Sequence, residues 1–119
     1  MSRYDYIEVS IKLFRGLSEE ELREVDGLEF QTKDLEREYI NYYLTDLGNM
    51  LMRDYHYELV DTPDKIIFKK SLKRIEHGLE SCNFTGVIEF YGKPYESFYR
   101  FQAKITNGKL KYIRLLSKK

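Results

Sequence analysis

The chain has 119 residues, of which 42% are hydrophobic and 34% charged, a balance that favours one folded domain, residues 1–119, over a disordered segment. Its 20 basic residues match its 20 acidic residues, which argues against bulk nucleic-acid binding through a general basic excess. One cysteine, Cys82, excludes an internal disulfide bond. The N-terminal residues lack the apolar stretch of a signal peptide, and no run is apolar enough for a membrane helix, so we expect a cytoplasmic protein.

Residues 5–14 fit either a strand or a helix, because their apolar side chains match both periods over so short a segment. The alternating set is Ile7, Val9, Ile11 and Leu13. Its β-branched side chains favour a strand. After Gly16, Ser18 can cap a short helix, in which the glutamates at 19–21 lie at the positive end of the helix dipole. We expect that helix to stop near Asp26-Gly27.

A longer amphipathic helix is predicted over residues 33–54. Apolar side chains recur there at spacings of three and four residues, while polar side chains take the opposite side. The apolar stripe consists of Ile40, Leu44, Leu47 and Leu51, widened by Leu35, Tyr39, Tyr43 and Met50. Such a helix needs apolar surface elsewhere in the chain to cover.

From Tyr55 onward the apolar period changes to two. Residues 61–64 carry a turn signal with a proline, and the strand after it places Ile66, Phe68 and Leu72 on one face. A helix over Ser71–Leu79 is the alternative, since the apolar residues there also fit helical spacing.

Two loop signals fix the register of the C-terminal third. Gly92-Lys93 suits a two-residue type II′ turn, and Asn107-Gly108 suits type I′, which places Ile105 opposite Leu110. Both turns predict the same inward face for a three-stranded meander. That face carries Tyr95, Tyr99, Phe101, Ala103 and Ile105.

The opposite, outer face of this meander is predicted to mix apolar and polar residues, whereas a sheet face open to water is mostly polar. Coverage by residues 5–14, by a second copy of the chain or by a partner would explain the mixture. The candidate binding residues are Tyr91 at the hairpin tip, Phe98, Arg100, Ile113 and Leu115.

These elements predict an α+β fold, in which one long amphipathic helix packs on a bent antiparallel sheet that ends in the meander. In element order, residues 33–116 resemble the cystatin-like and nuclear-transport-factor-like folds, where a bent, cone-shaped sheet wraps a helix. The resemblance implies a scaffold that hosts enzymes, ligand binders and interaction domains alike, so it does not give a function.

Residues that carry chemistry are few. His56, His77 and Cys82 are the candidate soft metal ligands, and their spacing matches no zinc motif. Cys82 beside either histidine is the only possible thiol pairing, and a small buried apolar cysteine explains it as well. The segment His56-Tyr57-Glu58 is the best candidate acid–base cluster, and a solvated helix exit explains it better. We therefore expect no catalytic residues, no metal and no cofactor.

The expected function is a small non-enzymatic protein-binding domain that occupies a surface on another macromolecule or on its own copy. A phage or mobile-element inhibitor or adaptor is one such case. One alternative is a small-ligand binder or enzyme with a pocket between helix 33–54 and the sheet. Another is a single-stranded nucleic-acid binder with interleaved tyrosines and basic side chains. The predicted register argues against that alternative, because it points Tyr95 and Tyr99 inward but Arg100 and Lys104 outward.

Overall fold

The computed structural model describes residues 3–61 and 70–119, and strands dominate this part of the chain. None of the helices in these residues is long or apolar enough to span a membrane. The helical elements are a 3-10 helix, Ile11–Leu13, and α1, Glu19–Val25. The strands are β1 (Asp5–Val9), β2 (Glu29–Thr32), β3 (Asn41–Leu44), β4 (Met50–Arg53), β5 (Tyr55–Asp61), β6 (Lys70–Glu76), β7 (Glu80–Ser81), β8 (Gly86–Gly92), β9 (Tyr99–Thr106) and β10 (Lys109–Lys118).

Eight of these strands form one sheet, in the order β10-β9-β8-β2-β1-β3-β4-β7. Strand β1 pairs antiparallel with β2 and parallel with β3. The sheet curls so that β4 and β10 meet: Asn49 bridges to Lys109, and the Met50 N–H donates to the Gly108 carbonyl at 2.8 Å. The large sheet therefore closes around its interior.

Aromatic side chains fill that interior. The ring centroids of Phe30, Phe90 and Phe101 lie between 5.0 and 5.7 Å apart. Phe14 adds a fourth ring 4.9 Å from Phe101, and Val25 of α1 is fully buried. The core thus joins the closed sheet to the segment that carries α1.

In the N-terminal third, the strand predicted over residues 5–14 is confirmed only for Asp5–Val9, where Ile7 and Val9 are buried, because Ile11–Leu13 forms a 3-10 helix. The predicted short helix is confirmed. Helix α1 begins after Ser18, whose hydroxyl accepts the Glu21 N–H at 3.1 Å, while the Glu21 carboxylate accepts the Ser18 N–H at 3.0 Å. This reciprocal capping box satisfies two helix-end donors within four residues, and for that reason the helix start could be predicted from sequence.

The long helix predicted over residues 33–54 is wrong, because this segment forms a loop, β3, a turn and β4. The backbone φ angles of Arg37 and Tyr39 are 58° and 59°, in the left-handed region that a right-handed helix excludes. Gly48, at φ 78°, belongs to the turn, where its N–H donates to the Thr45 carbonyl at 2.8 Å. Of the apolar stripe, Ile40, Leu44 and Met50 are buried, whereas Leu47 is 79% exposed.

Because the long helix is absent, the predicted α+β fold is also wrong, and so is the resemblance to cystatin-like and cone-shaped folds. The described chain is mostly β-structure, and its one α-helix of seven residues, α1, packs on the closed sheet. A pocket between a helix over 33–54 and the sheet, which a small-ligand binder or enzyme of the cone type requires, has no counterpart in the described residues.

Strands β5 and β6 form a separate two-stranded ribbon. The helix considered over Ser71–Leu79 is wrong, since residues 70–76 pair with 55–61. The predicted strand residues Ile66 and Phe68, and the turn after Asp61, lie outside the described residues. At the base of the ribbon, the His77 N–H donates to the Asp54 carbonyl at 2.9 Å.

In the C-terminal third, β8, β9 and β10 are consecutive antiparallel neighbours. The pair Ile105–Leu110 is confirmed. Also confirmed is the burial of Tyr99, Phe101, Ala103 and Ile105. The expected inward position of Tyr95 is wrong, because its side chain is 74% exposed.

The two-residue turn at Gly92-Lys93 is wrong as well. Gly92 is the last residue of β8 and pairs with Tyr99, which leaves residues 93–98 as a longer loop. A Cβ on Gly92 would lie 2.9 Å from the Leu28 side chain and 3.0 Å from the Phe30 ring. Close packing under the strand, rather than a hairpin turn, accounts for this glycine.

Candidate binding site

Tyr91 and Phe98 stand together on the outer face of the meander, as an aromatic pair whose ring centroids lie 6.0 Å apart. Tyr91 is on β8, directly opposite Arg100 on β9. Phe98 ends the loop before β9, where its N–H and carbonyl form hydrogen bonds of 2.7 and 2.9 Å with the backbone of Lys119. These two bonds fix the backbone that carries the Phe98 ring.

An ion pair borders the aromatic pair. The Arg100 guanidinium donates to the Glu89 carboxylate at 2.6 Å, with both side chains partly exposed. The Glu89 backbone N–H in turn donates to the Asp34 carboxylate at 2.8 Å. Together with Lys33, these side chains and the two rings line a cavity of about 280 Å³, named here the Tyr91 cavity.

The surroundings of the Tyr91 cavity raise the pKa values of Tyr91 and Arg100. Burial raises the pKa of Tyr91 above its usual value of 10.0, and the negative charge of Asp34 raises it further. The hydrogen bond to Glu89 raises the pKa of Arg100. Tyr91 therefore offers a neutral hydroxyl, and Arg100 a permanent cation. The lining offers a hydroxyl, a guanidinium, an ammonium and two carboxylates beside two aromatic rings.

Three of the five predicted binding residues, Tyr91, Phe98 and Arg100, come together in this cavity. The other two do not, and their predicted outward position is wrong. Ile113 is 8% exposed and pairs with Ala103, while Leu115 pairs with Phe101 and packs against the core.

A β-bulge explains the reversal of Ile113 and Leu115. The register of β10 shifts between Leu110 and Tyr112, so that Lys111 has no partner across the ladder. One extra residue reverses which side chains face inward beyond it. Sequence alternation counted from the Asn107-Gly108 turn cannot detect such an insertion.

The same shift brings basic and aromatic side chains together on the outer face. Tyr112 and Lys104 are cross-strand partners, and the Arg114 guanidinium lies 5.4 Å from the Tyr112 ring while it donates to the Gln102 side chain at 2.8 Å. Tyr91 lies on this face too. Of the two tyrosines expected to point inward, away from Arg100 and Lys104, Tyr99 is buried and Tyr95 is 74% exposed.

Sequence reasoning missed the two acidic members of the site. The Asp34 carboxylate accepts a hydrogen bond from the backbone N–H of Glu89, 55 residues further along the chain. Such a long-range contact leaves no local pattern in the sequence. Glu89 could have been found as a diagonal neighbour of Arg100 once the true register of β8 and β9 was known.

The histidines also come together, in the ribbon rather than in the Tyr91 cavity. His56 Nδ1 and His77 Nε2 are 2.6 Å apart, and His56 Nε2 is 2.9 Å from the Glu58 carboxylate. Cys82 is elsewhere, partly buried against the core. Within residues 3–61 and 70–119, no group of three or more His, Cys, Asp or Glu side chains is arranged to hold a metal ion.

Comparisons of the chain with models of known protein families, with curated proteins and with solved structures found no match.

Proposed function

We propose that this chain is a binding domain without a catalytic role, which acts as an inhibitor or adaptor does, by occupying a surface on a protein partner. The observation that carries the proposal is the aromatic pair Tyr91 and Phe98 at a cavity bordered by Arg100. Tyrosine and arginine are enriched among the residues that dominate protein–protein binding energy, and such residues cluster around small pockets.

The site is also prepared for binding before a partner arrives. Phe98 is held at its backbone by Lys119, and Arg100 is oriented by Glu89. Side chains that are already ordered lose less conformational entropy on association. An aromatic or aliphatic side chain of the partner would enter the Tyr91 cavity and lie against both rings.

The test compares two serine substitutions on the same face. Phe98→Ser removes one ring of the pair, whereas Val87→Ser changes an apolar side chain of similar exposure, 48% against 37%, away from the cavity. Affinity purification from the native host, read by mass spectrometry, should recover a protein with the parent chain and with Val87→Ser but lose it with Phe98→Ser. Recovery of the same proteins with all three would contradict the proposal.

Self-association is the special case in which the partner is a second copy. Light scattering of the purified chain over a range of concentrations would then give a mass above 14.4 kDa that falls to the monomer value in Phe98→Ser but not in Val87→Ser.

A second candidate function is single-stranded nucleic-acid binding, and the observation in its favour is the outer face that joins Tyr91 and Tyr112 to Lys104 and Arg114. Aromatic rings can stack on bases while basic side chains contact phosphates. The probe is a fluorescent oligothymidine about 20 nucleotides long, followed by anisotropy at several salt concentrations. Binding that weakens with salt and in Arg114→Glu would support this candidate, and no anisotropy change near physiological salt would exclude it.

A further inference from the structure

A second cavity lies on a different face from the Tyr91 cavity. It is an open groove of about 660 Å³ across the outer side of β1, β3 and β4. Its apolar floor consists of Tyr43, Leu47, Leu51 and Leu79. Leu47 is 79% exposed and Leu79 48% exposed, so this floor is open to water in the isolated chain.

The rim of the groove is acidic. Glu8, Asp26 and Asp46 line it, and no lysine or arginine does. Asp46 is already engaged, because it accepts the Ser10 hydroxyl and lies 3.3 Å from the Lys12 ammonium. In the described part of the chain, Glu8 and Asp26 take part in no ion pair within 4 Å.

A second observation points to a cationic occupant. Glu8 on β1 lies directly opposite Glu29 on β2, and both side chains are exposed. Like charges at directly opposed positions of an antiparallel pair destabilise the sheet. The repulsion between these exposed carboxylates costs at most about 1 kcal/mol, and a positive charge brought by a partner beside the apolar floor would relieve it.

The row of cross-strand partners sets the size of that occupant. Glu8 is opposite Tyr43, Tyr43 is opposite Leu51, and Leu51 is opposite Ser81. Three inter-strand spacings span about 14 Å, which is the reach of about four extended residues.

We propose that this surface, the acidic groove, binds a short segment of a protein partner that places leucine-like side chains on the floor and lysine or arginine against the rim. The surface does not overlap the Tyr91 cavity, so the proposal is independent of the function proposed above. A domain with both surfaces would connect two partners, as an adaptor does.

The probe is a fluorescent peptide of about seven residues, in which two leucines separated by a serine are flanked on each side by two lysines. Binding to the full chain is followed by anisotropy. A peptide with serines in place of the leucines should bind at least about fivefold more weakly, because it offers no apolar side chain to the floor. A peptide with glutamates in place of the lysines should show no binding.

Two variants and one control locate the site on the chain. Leu47→Ser should weaken binding about fivefold, and Glu8→Gln about threefold, in line with the modest strength of exposed charge pairs. Glu96→Gln makes the same charge change in the 93–98 loop and should leave binding unchanged. Equal binding by Leu47→Ser, Glu8→Gln and Glu96→Gln would overturn the proposal.

Stability separates a binding role from a structural one. Because Glu8→Gln removes the repulsion from Glu29, the variant should unfold at the same or a higher urea concentration than the parent chain while it binds the lysine–leucine peptide less well. A fall in stability together with the fall in binding would overturn the assignment. So would self-association of the parent chain that Leu47→Ser abolishes, since a second copy would then be the occupant.

Discussion

Replacing Asp5 with alanine should release the loop of residues 33–40 from the closed sheet. Asp5 is fully buried in β1, and its carboxylate accepts three backbone N–H groups of that loop. The donors are Arg37 at 2.6 Å, Glu38 at 2.9 Å and Ile40 at 2.9 Å. These bonds hold the loop in the conformation where Arg37 and Tyr39 have positive φ angles.

The expected loss of stability follows from how deeply each donor is buried. The Ile40 N–H is buried, and leaving it without an acceptor costs about 1–3 kcal/mol. The Arg37 and Glu38 N–H groups are only partly buried, so water can replace the carboxylate and each loss costs about 0.5–1.5 kcal/mol. The total is about 2–6 kcal/mol, a large share of the stability of an ordinary domain.

Urea unfolding followed by circular dichroism measures this loss. Asp5→Asn should cost less than Asp5→Ala, because one oxygen still accepts the Glu38 and Ile40 N–H groups while the new NH₂ faces the Arg37 N–H. Asp26→Ala, at an exposed position, should change stability by less than about 0.5 kcal/mol. If Asp5→Ala costs less than about 1 kcal/mol, the carboxylate does not anchor the loop and the reasoning fails.

The other predictions concern closure, register and pH. Gly108→Ala should destabilise the chain by about 2 kcal/mol or more in urea, because φ is 74° there and a Cβ would lie 2.3 Å from the Cys82 carbonyl oxygen; an unchanged unfolding midpoint would contradict the close approach. Ile113→Ala should cost about 2–5 kcal/mol in urea unfolding and the exposed Val87→Ala less than about 1 kcal/mol; an equally small cost for Ile113→Ala would mean that Ile113 faces outward, as in the register without a bulge. Burial raises the pKa of Tyr42 above its usual 10.0, so the folded chain holds that proton more tightly than the unfolded chain. The contribution of Tyr42 to the free energy of unfolding should therefore be constant below pH 10 and fall as pH rises beyond it. The Tyr42→Phe variant should lose less stability over that pH range, and equal losses in the parent chain and the variant would contradict this assignment.

The parts of the fold that could be predicted from sequence are those fixed by neighbouring residues. Helix α1 depends on Ser18 and Glu21, three residues apart, and the β9–β10 turn depends on Asn107-Gly108. The helix predicted over 33–54 failed because its apolar spacing fits two periods. Contacts with residues distant in sequence decide between strand and helix here, because β3 pairs in parallel with β1 and Asp5 anchors the loop.

Like the fold, the candidate binding site could be predicted from the sequence only in part. Arg100 faces outward as predicted because alternation along β9 is regular, whereas Tyr91, expected at a hairpin tip, lies within β8 opposite Arg100. Ile113 and Leu115 were misplaced because a bulge at Lys111 leaves no mark in composition or spacing. Asp34 was missed because it reaches the site through a contact with the backbone of a strand far along the chain.

The ribbon of β5 and β6 leaves the closed sheet after Asp54 and returns at His77, where the two backbones are already joined by a hydrogen bond of 2.9 Å. Strands β5 and β6 thus leave and rejoin the closed sheet at neighbouring positions, and a tight turn would connect β4 to β7 without them. Chains accept additions and losses most readily at such points. Changes of length in the ribbon should therefore leave the interior of the sheet intact as long as Tyr55 and Arg74 remain, because these two side chains donate to the Glu38 and Tyr39 carbonyls of the loop that Asp5 anchors.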